Sequence, residues 1–499
     1  MALPYNYTQV GYIRATGTQY IDLFYQPKLF GRIKIKFKYY TSGRQILLGS
    51  WQSQYNKSYI IEKNTANNYS SDASGLTINS SGTFAIANNQ WYELDFNIND
   101  GYIKIDDTTQ ATLTGSMTGT RAWYLFASND SEEGSYLKSN AAVEYLQLYD
   151  LEGNLVHNFI PCLNDSGAPG LYDDIGGLFY GNEGTGTFTY APMVNVEVTP
   201  TNSGTITGDT YYDPGTDATL TAIPNPGYNF EKWINEDYRL MDAIASTGTQ
   251  YINVGINTGV NMRIVVDISP NGEGYDDNAI IGLSNNSGSG YRIEVVRKAS
   301  GKYSLYSSGS GSGTYKDFPD VSSDGRITLT YTQTSNRQEL TDGNQTVSST
   351  FTTATNTGFY LFSYYGGSRY YGKFRLHNCK IYINDILVRD YVPVLKDSGL
   401  VPGLLDLVEM KFYANSGTGD FQAYEETPDI KRIVLTDNPL TIKNLRNTLD
   451  LIAQFKKSAN CRYKVNGTWK NAMMFIKQNG TWKPGTPKIK INGNWKEGG

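Results

Sequence analysis

The chain has 499 residues, enough for about three domains at the usual ~150 residues each. It contains 51 Gly and 40 Tyr but only 18% charged residues, 2 His and 3 Cys, which excludes a helical bundle and argues against chemistry that needs several His or Cys side chains. The net charge of −5 conceals a basic end, because residues 430–499 hold 14 Lys and Arg against 3 Asp and Glu.

The N-terminus and the cysteines argue against export and against metal chemistry. The first residues carry neither a basic start nor an apolar run, so we expect no signal peptide. No stretch approaches the ~20 apolar residues that cross a bilayer, so we expect no membrane insertion. Cys162, Cys379 and Cys461 are far apart in unlike contexts, which fits neither a disulfide framework nor a zinc site. We therefore expect no metal site and no cofactor, and only calcium binding stays open.

The first part of the chain has the pattern of short strands. Arg32–Lys38 alternates polar and apolar residues, as expected for a half-buried strand. Trp91–Ile98 alternates in the same way, and Asn99–Gly101 then turns the chain into Tyr102–Asp106 as a hairpin. Many short strands in ~180 residues predict a sandwich, because two amphipathic sheets bury their apolar faces against each other.

Several motifs occur twice, which indicates an internal duplication. Residues 15–21 (ATGTQYI) recur at 246–252 as STGTQYI, and the closing GTGTF at 184–188 recurs at 417–421 as GTGDF. The offset between matching motifs stays between 231 and 236 residues. Chance does not produce a constant offset over so many motifs, so the sequence predicts two copies of one domain.

The order of motifs in each copy resembles a known family. An opening TGTQYI is followed by ILLGS, WYELDF with DGYIKID, and YLF, and the copy closes with IPCLNDSGAPGLYDDIGGLFYGNEGTGTF. This order resembles the concanavalin A-like, laminin-G-type jelly-roll domains of phage virion proteins and bacterial surface proteins. Asp173 has a counterpart in Asp406, but Asp174 is replaced by Leu407, so the two copies cannot share a site built on paired carboxylates.

A smaller module separates the two copies. Residues 194–233 contain a Gly turn, a YxxG-like turn, a TLTA strand and the ending PGYNFEKW, and they resemble the small β repeats of internalin B-repeat type. The resemblance implies a spacer module. In a module of ~45 residues the core is small, so we expect Phe230 and Trp233 to hold it together by packing.

The C-terminal region changes character again. Residues 439–455 space Leu, Ile and Phe at three- and four-residue steps, which predicts a helix, although a strand near Ile442 is an alternative. Three NGxWK units then recur every 13 residues and carry Trp469, Trp482 and Trp495. Asn-Gly favours two-residue hairpin turns, and the units resemble the β repeats that end many phage tail and fibre proteins. The basic end is therefore predicted to serve attachment or oligomerisation, with strand-edge protection as the plainer alternative.

The sequence offers no catalytic constellation. Glu93 and Asp95 begin the Glu-x-Asp-x-x-Glu strand of laminarinase-type hydrolases, but Ile98 stands at the position of the last acid. With only His157 and His377, a Ser-His-Asp set is not credible, and the common phosphate-binding and metalloprotease motifs are lacking. We therefore expect no enzyme and assign no catalytic residues.

Aromatic residues near the predicted strand ends suggest ligand binding. Sugars stack on aromatic rings through their apolar C–H faces, while neighbouring amides and carboxylates bind the hydroxyl groups. Internal packing is the alternative role for each of these rings. The predicted ligand-binding residues are Trp51, Tyr55, Tyr364, Tyr365, Tyr370 and Tyr371.

The sequence thus predicts an all-β protein with two antiparallel jelly-roll sandwiches, a small β spacer, and C-terminal hairpins with one helix as an alternative. The expected domains are residues 1–191, 192–237, 238–426 and 427–499. The expected function is that of a structural phage virion protein, such as a fibre or decoration protein, which binds host-surface glycans or receptors. Its partners would be other virion proteins and copies of itself, with a trimer permitted, and no nucleic acid. A bacterial surface adhesin is the main alternative, and a glycan-processing enzyme the weakest.

Overall fold

The structure is a computed structural model, and within its described residues the chain is almost entirely β. The helical elements there are two short 3-10 helices, Pro27–Leu29 and Ser398–Leu400, and neither is long enough to cross a membrane. The description covers the chain outside residues 1–2, 5, 52–56, 81–82, 131–133, 137, 258–260, 272–277, 285–291, 309–313, 321–324, 351–357, 364–370, 426–429, 458–460, 466–467, 473–474, 479–480, 485–487, 492–493 and 498–499.

The described chain divides into two compact units. One unit comprises residues 1–194, 210–216 and 445–449, and the other comprises 195–209, 217–444 and 450–499. The first contains strands β1 to β19, which are Thr8–Gln9, Tyr12–Thr16, Ile21–Asp22, Phe30–Tyr39, Gln45–Trp51, Lys57–Lys63, Tyr69–Ala73, Leu76–Ser80, Trp91–Asn97, Tyr102–Ile105, Thr108–Gly115, Tyr124–Leu125, Ser128–Asp130, Gly134–Tyr136, Asn140–Asp150, Leu155–Leu163, Pro169–Asp173, Leu178–Tyr180 and Thr189–Ala191.

These strands form a two-layer sandwich. The main path of the 12-stranded sheet runs β18-β17-β16-β15-β4-β9-β10-β11-β8, and that of the 7-stranded sheet runs β14-β13-β5-β12-β3. In β4 nearly every second side chain is buried, as the alternation of apolar residues predicts. Phe37 from the larger sheet and Leu48 and Leu125 from the smaller one belong to the same buried cluster. The predicted hairpin of β9 and β10 is confirmed, with Asn97 opposite Tyr102.

The chain continues through a small module into the second copy. Strands β20 to β23 are Val194–Thr199, Gly204–Thr207, Thr216–Pro224 and Tyr228–Leu240. Strands β24 to β39 are Ala243–Ala245, Ile252–Asn257, Met262–Pro270, Asn278–Ser284, Arg292–Arg297, Tyr303–Ser308, Thr314–Asp317, Ile327–Gln333, Arg337–Thr341, Thr346–Thr350, Gly358–Leu361, Phe374–Ile383, Ile386–Lys396, Val401–Asp406, Lys411–Tyr413 and Gln422–Tyr424.

The second copy is a sandwich of the same design. Its larger sheet contains β36-β35-β26-β31-β32-β33, and its smaller sheet runs β25-β34-β27-β28-β29-β30. Ile264 and Leu329 from the larger sheet and Val295 and Leu361 from the smaller one belong to one buried cluster. Two sandwiches with matching strand orders, antiparallel except for the parallel pair of β5 and β13, confirm the predicted fold class.

The remaining strands differ from the helix prediction. Strands β40 to β48 are Arg432–Leu435, Leu440–Leu445, Leu449–Lys457, Cys461–Val465, Thr468–Ala472, Phe475–Gln478, Thr481–Pro484, Lys488–Ile491 and Asn494–Glu497. Residues 439–455, predicted as a helix or as a strand near Ile442, form two strands. The helix prediction is wrong because burial alternates every second residue in β42, which is the period of a strand.

The strands after residue 430 complete the small module instead of starting a new region. β42 lies between β20 and β23 in one sheet, and β41 pairs with β22 in another. Trp233 is fully buried, donates from Nε1 to the Asp437 carbonyl at 2.8 Å, and packs on Phe230 with ring centroids 4.9 Å apart. The boundary predicted at residue 427 therefore separates strands that share one core.

The NGxWK units form the predicted hairpins. β43 pairs with β44, β45 with β46 and β47 with β48, each as a separate two-stranded sheet. In all three hairpins a lysine stands opposite the tryptophan position, and Lys464 faces Trp469 in the first of them. The three repeated sequence units therefore have the same backbone register, with a lysine paired with the tryptophan in each hairpin.

Candidate functional site

The structure places two of the predicted ligand-binding residues, and both lie on the smaller sheet of a sandwich or beside it. Trp51 ends β5 and is half-buried. Tyr371 is half-buried and forms an isolated bridge with Ala279 of β27. Tyr55, Tyr364, Tyr365 and Tyr370 lie outside the described residues, and so do the side chains of Trp469, Trp482 and Trp495.

A stacked tyrosine pair lies on the outer face of the smaller sheet of the first sandwich. The rings of Tyr20 and Tyr124 have centroids 4.8 Å apart and planes inclined by 27°. Tyr124 stands between Asp22 of β3 and Gly49 of β5 in the sheet. Gly49 has no side chain to place beside the ring, and Trp51 lies on the same face two residues further along β5.

A tyrosine pair occupies the same place in the second sandwich. Tyr251 and Tyr360 have ring centroids 6.0 Å apart in an edge-to-face arrangement. Tyr360 stands between Asn253 of β25 and Gly282 of β27. The predicted Tyr371 adds a third ring, with its centroid 6.3 Å from that of Tyr251. This pair is more covered, because Tyr360 is only 7% exposed whereas Tyr124 is half-buried.

The duplicated sequence motifs hold these tyrosines in place. The backbone N–H of Tyr20 donates to Asn182 Oδ1 at 3.2 Å, and that of Tyr251 donates to Asn415 Oδ1 at 3.0 Å. Each asparagine lies in the loop that ends in the GTG motif. The loops with the opening TGTQY and the closing GTG motif therefore contact each other in each copy. This contact, called the clasp below, sets the position of the first tyrosine of the pair.

Glycine is required in the clasp because the two loops contact each other through their backbones. A Cβ atom on Gly184 would lie 2.1 Å from the Thr18 carbonyl oxygen, and one on Gly417 would lie 2.1 Å from that of Thr249. Contacts that short do not occur between real atoms. The closing GTG motif, which is part of the family resemblance, thus has a structural role in the clasp beside the tyrosine pair.

Charged groups border the pair in the first sandwich. Burial raises the pKa of Asp22, and nearby Glu183 acts in the same direction, while the Phe24 N–H and Arg121 oppose the shift. Lys138 Nζ lies 5.7 Å from the centroid of the Tyr20 ring. A carboxylate acceptor, a cationic donor and flat rings close together are the groups that bind a polar ligand with apolar faces.

A second charged cluster was missed by the sequence analysis. Asp173, fully buried, accepts from the backbone N–H groups of Asn158 and Ile175 and lies 2.7 Å from His157 Nδ1. The ring of Tyr25 lies 3.9 Å from that of His157. Because burial leaves so little of this cluster accessible, it acts as an internal support and not as a binding surface.

The second copy carries a changed version of that cluster. Asp406 occupies the place of Asp173, and Arg389 replaces the histidine with its Nε 3.5 Å from Asp406 Oδ2. Arg389 also pairs with Glu409 at 2.7 Å. The retention of the aspartate in both copies was the sequence signal that could have found this support.

The acidic pair that resembles a hydrolase strand is engaged in ion pairs. Glu93 lies 3.1 Å from Lys34, and Asp95 lies 2.7 Å from Arg32, all on the polar face between β4 and β9. These carboxylates stabilise the sheet across neighbouring strands. Among the described residues, no three His, Cys, Asp or Glu side chains are grouped closely enough to hold a metal ion.

Comparison with known proteins finds one family model that matches a segment of the chain. Residues 194–255 match the model of the divergent InlB B-repeat domain, the repeat type that residues 194–233 resemble in sequence. No curated protein matches the chain. Among solved structures, domains LG4-5 of the mouse laminin alpha1 chain are similar, with 10% identity, a TM-score of 0.25, and coverage of 86% of this chain and 96% of that one. A Bacteroides ovatus protein provisionally named as carbohydrate binding has 11% identity and a TM-score of 0.26, and covers 82% and 90% of the two chains.

Proposed function

We propose that the protein is an adhesin that binds hexose-containing surface glycans on the smaller sheets of its two sandwiches. The tyrosine pairs at matching positions carry this proposal. Tyr20 stacks on Tyr124 in the first copy and Tyr251 packs on Tyr360 in the second, and the same backbone clasp positions Tyr20 and Tyr251. Duplicated flat rings beside a glycine fit the stacking of a pyranose ring, whose C–H face is apolar.

The polar groups around the first pair complete a sugar site. Asp22 can accept hydrogen bonds from hydroxyl groups, and the cationic group of Lys138 at the ring edge can donate them. The best hydrolase-like carboxylates, Glu93 and Asp95, are held in ion pairs on the other sheet. These observations favour binding over catalysis.

A printed array of hexose oligosaccharides tests the proposal with the full chain. We expect binding to a subset of glycans, weakened at least about tenfold in Tyr124→Ala, because one stacking residue often contributes more than 1.4 kcal/mol. Glu93→Gln is the matched control on the opposite sheet and should bind as the parent does. A folded chain that binds no glycan on the array would overturn the proposal.

We further propose that the adhesin is carried by a phage particle as a fibre or decoration protein, as a homo-oligomer attached through its C-terminal hairpins. The resemblance of the jelly-roll motifs and the NGxWK units to virion proteins supports this, as does the positive charge of that end. Antibody-labelled electron microscopy should place the protein on particles. Label on bacterial cell surfaces instead would favour the alternative, a bacterial adhesin.

A further inference from the structure

An exposed phenylalanine with a strained backbone lies two residues after Asp22, which pairs with Tyr124 in the first sandwich. Phe24 has a φ of 61°, and the residue is 68% exposed. A left-handed backbone is unfavourable for a bulky residue, and strain of this kind collects at functional positions. Exposing the ring to water is a second unfavourable feature at the same residue.

The second sandwich shows what this position requires structurally. Gly255 stands at the equivalent position with a φ of 68°, and its N–H donates to Asn253 Oδ1 at 3.0 Å. The Phe24 N–H donates to Asp22 Oδ1 at 2.7 Å in the same way. The turn itself therefore needs only a residue that tolerates a left-handed backbone, which glycine does without strain.

Other phenylalanines with left-handed backbones have a structural reason that Phe24 lacks. Phe126 and Phe362 have φ values of 69° and 66°, and both rings are completely buried in the sandwich cores. Burial of an aromatic ring offsets the strain there. The exposed ring of Phe24 has no such compensation within the domain.

The position of Phe24 points toward the proposed glycan site. Burial alternates around β3, because Ile21 and Leu23 are buried while Tyr20 and Asp22 are half-buried, and the residue that follows, Phe24, is exposed. Leu23 N donates to the Trp123 carbonyl, so the strand stays beside the segment that carries Tyr124 as far as this point. Phe24 therefore directly follows the segment that faces Tyr124, and its N–H donates to Asp22, the residue paired with Tyr124.

The two sandwiches also differ at a further border position. Ser139 N donates to the Phe126 carbonyl and Gly372 N to the Phe362 carbonyl, both at 2.8 Å, which makes Lys138 and Tyr371 equivalent. The first site is therefore bordered by Asp22, Phe24 and Lys138, and the second by Asn253, Gly255 and Tyr371. The two sites share the same backbone contacts, but the residues that border them differ.

We propose that Phe24 is the ligand-contacting aromatic residue that makes the first sandwich the stronger glycan-binding domain. The inference rests on the proposed glycan binding and deepens it by naming the residue that separates the two copies. A sugar stacked against the ring would cover the surface that is exposed in the free protein, and the backbone strain is retained because the ring works only in the complex.

The test replaces Phe24 by the residue that the second sandwich uses. In the full chain, Phe24→Gly should reduce binding to the hexose oligosaccharide array at least about tenfold. The same variant should keep the melting temperature or raise it by about 2–4 °C, because the strain is removed. Phe24→Tyr keeps a ring and should bind as the parent does, and Ile386→Ala, which removes an equally exposed apolar side chain, should change nothing.

Each outcome separates the two proposals. If the full chain binds glycans and Phe24→Gly binds equally well, the inference is overturned while the proposed function stands. A fall in melting temperature in Phe24→Gly would show that the ring stabilises the fold, and this also overturns the inference. If the full chain binds no glycan on the array, the proposed function fails and the inference fails with it.

Discussion

At the scale of single residues, burial determines the chemistry of two cysteines. Cys162 and Cys379 are fully buried free thiols, and burial raises the pKa of Cys162 to about 12 and that of Cys379 above its ordinary value. A thiol with a raised pKa stays protonated near neutral pH, and only the thiolate is a good nucleophile. These two residues should therefore be inert in the folded protein.

Thiol titration with Ellman's reagent at pH 8 checks this prediction. In the Cys461→Ser variant, which leaves only Cys162 and Cys379, we expect no rapid reaction in buffer. Both thiols should react once the chain is unfolded in guanidinium. Rapid reaction of either thiol in the native variant would contradict the burial seen in the structure.

A second prediction at this scale concerns the buried Asp406. Burial raises its pKa above the ordinary value of 3.8, against the lowering effects of two backbone N–H groups and Arg389. The folded state therefore binds this proton more tightly than the unfolded state. The favourable contribution of the protonated group is complete below pH 3.8 and is lost as the pH rises through the raised value.

The free energy of unfolding measured from pH 2.5 to 7 tests the sign. Relative to Asp406→Asn, the parent should lose stability as the pH rises. Asp217→Asn is the opposite control, because Lys443 and a backbone N–H lower the pKa of Asp217, so the parent should lose stability relative to that variant as the pH falls. A parallel response of the parent and Asp406→Asn would refute the first prediction.

At the scale of elements, the clasp between the TGTQY and GTG loops gives a prediction for its glycine. Gly184→Ala would place a methyl group 2.1 Å from the backbone carbonyl oxygen of Thr18, so one of the loops must shift. We expect a loss of about 1–3 kcal/mol in the free energy of unfolding, as for other overpacked sites. Chemical denaturation of the full chain measures the change.

Gly181 supplies the matched control within the same segment. A Cβ atom there would meet only the ring edge of Phe179 at 3.5 Å, which is an ordinary contact. Gly181→Ala should therefore leave the denaturation midpoint nearly unchanged. If both variants lose the same stability, the close approach of the two loops is not the reason for the glycine at 184.

The sequence alone predicted those strands in which apolar residues alternate with one clear period. It did not predict the secondary structure correctly where two strands follow each other closely. β9, β10 and the three C-terminal hairpins follow from alternation and Asn-Gly turns. Residues 439–455 combine two strands joined by a short turn, and the change of phase at the turn imitates the three- and four-residue steps of a helix. Pairing with β22 and β23 then selects strands, which a local pattern cannot reveal.

The tyrosine pairs were missed for a related reason. Tyr20 and Tyr124 are far apart in the sequence and meet only because β3 and β12 pair. The TGTQY and YLF motifs that contain these residues were recognised as repeats, but repetition does not tell which repeats touch. Trp51 and Tyr371 were found because they are conspicuous aromatic residues near strand ends, and both lie on or beside the same sheets.

At the scale of the whole molecule, the small module is built from two distant parts of the chain. β20 to β23 supply one part, and β40 to β42 supply the other. Phe230 from the first part packs between Trp233 of the same part and Phe455 of the second part, with ring centroids 4.9 and 5.8 Å away. A spacer made only of residues 192–237 would therefore leave Trp233 and its neighbours exposed to water, at a cost of about 25 cal/mol per Å² of apolar surface.

Two truncations of the chain test this assembly. Chain 1–457 keeps β40, β41 and β42 and removes the three terminal hairpins, whereas chain 1–429 also removes the strands that complete the module. Amide hydrogen exchange in β23 should stay slow in the first truncation and become fast in the second, because β42 and β40 form its backbone hydrogen-bonded ladders there. Slow exchange of β23 in chain 1–429 would show that residues 194–240 fold without the later strands. Chain 1–457 is then the right variant for asking whether the hairpins attach the protein to a particle, because loss of incorporation in a folded module can be ascribed to the hairpins alone.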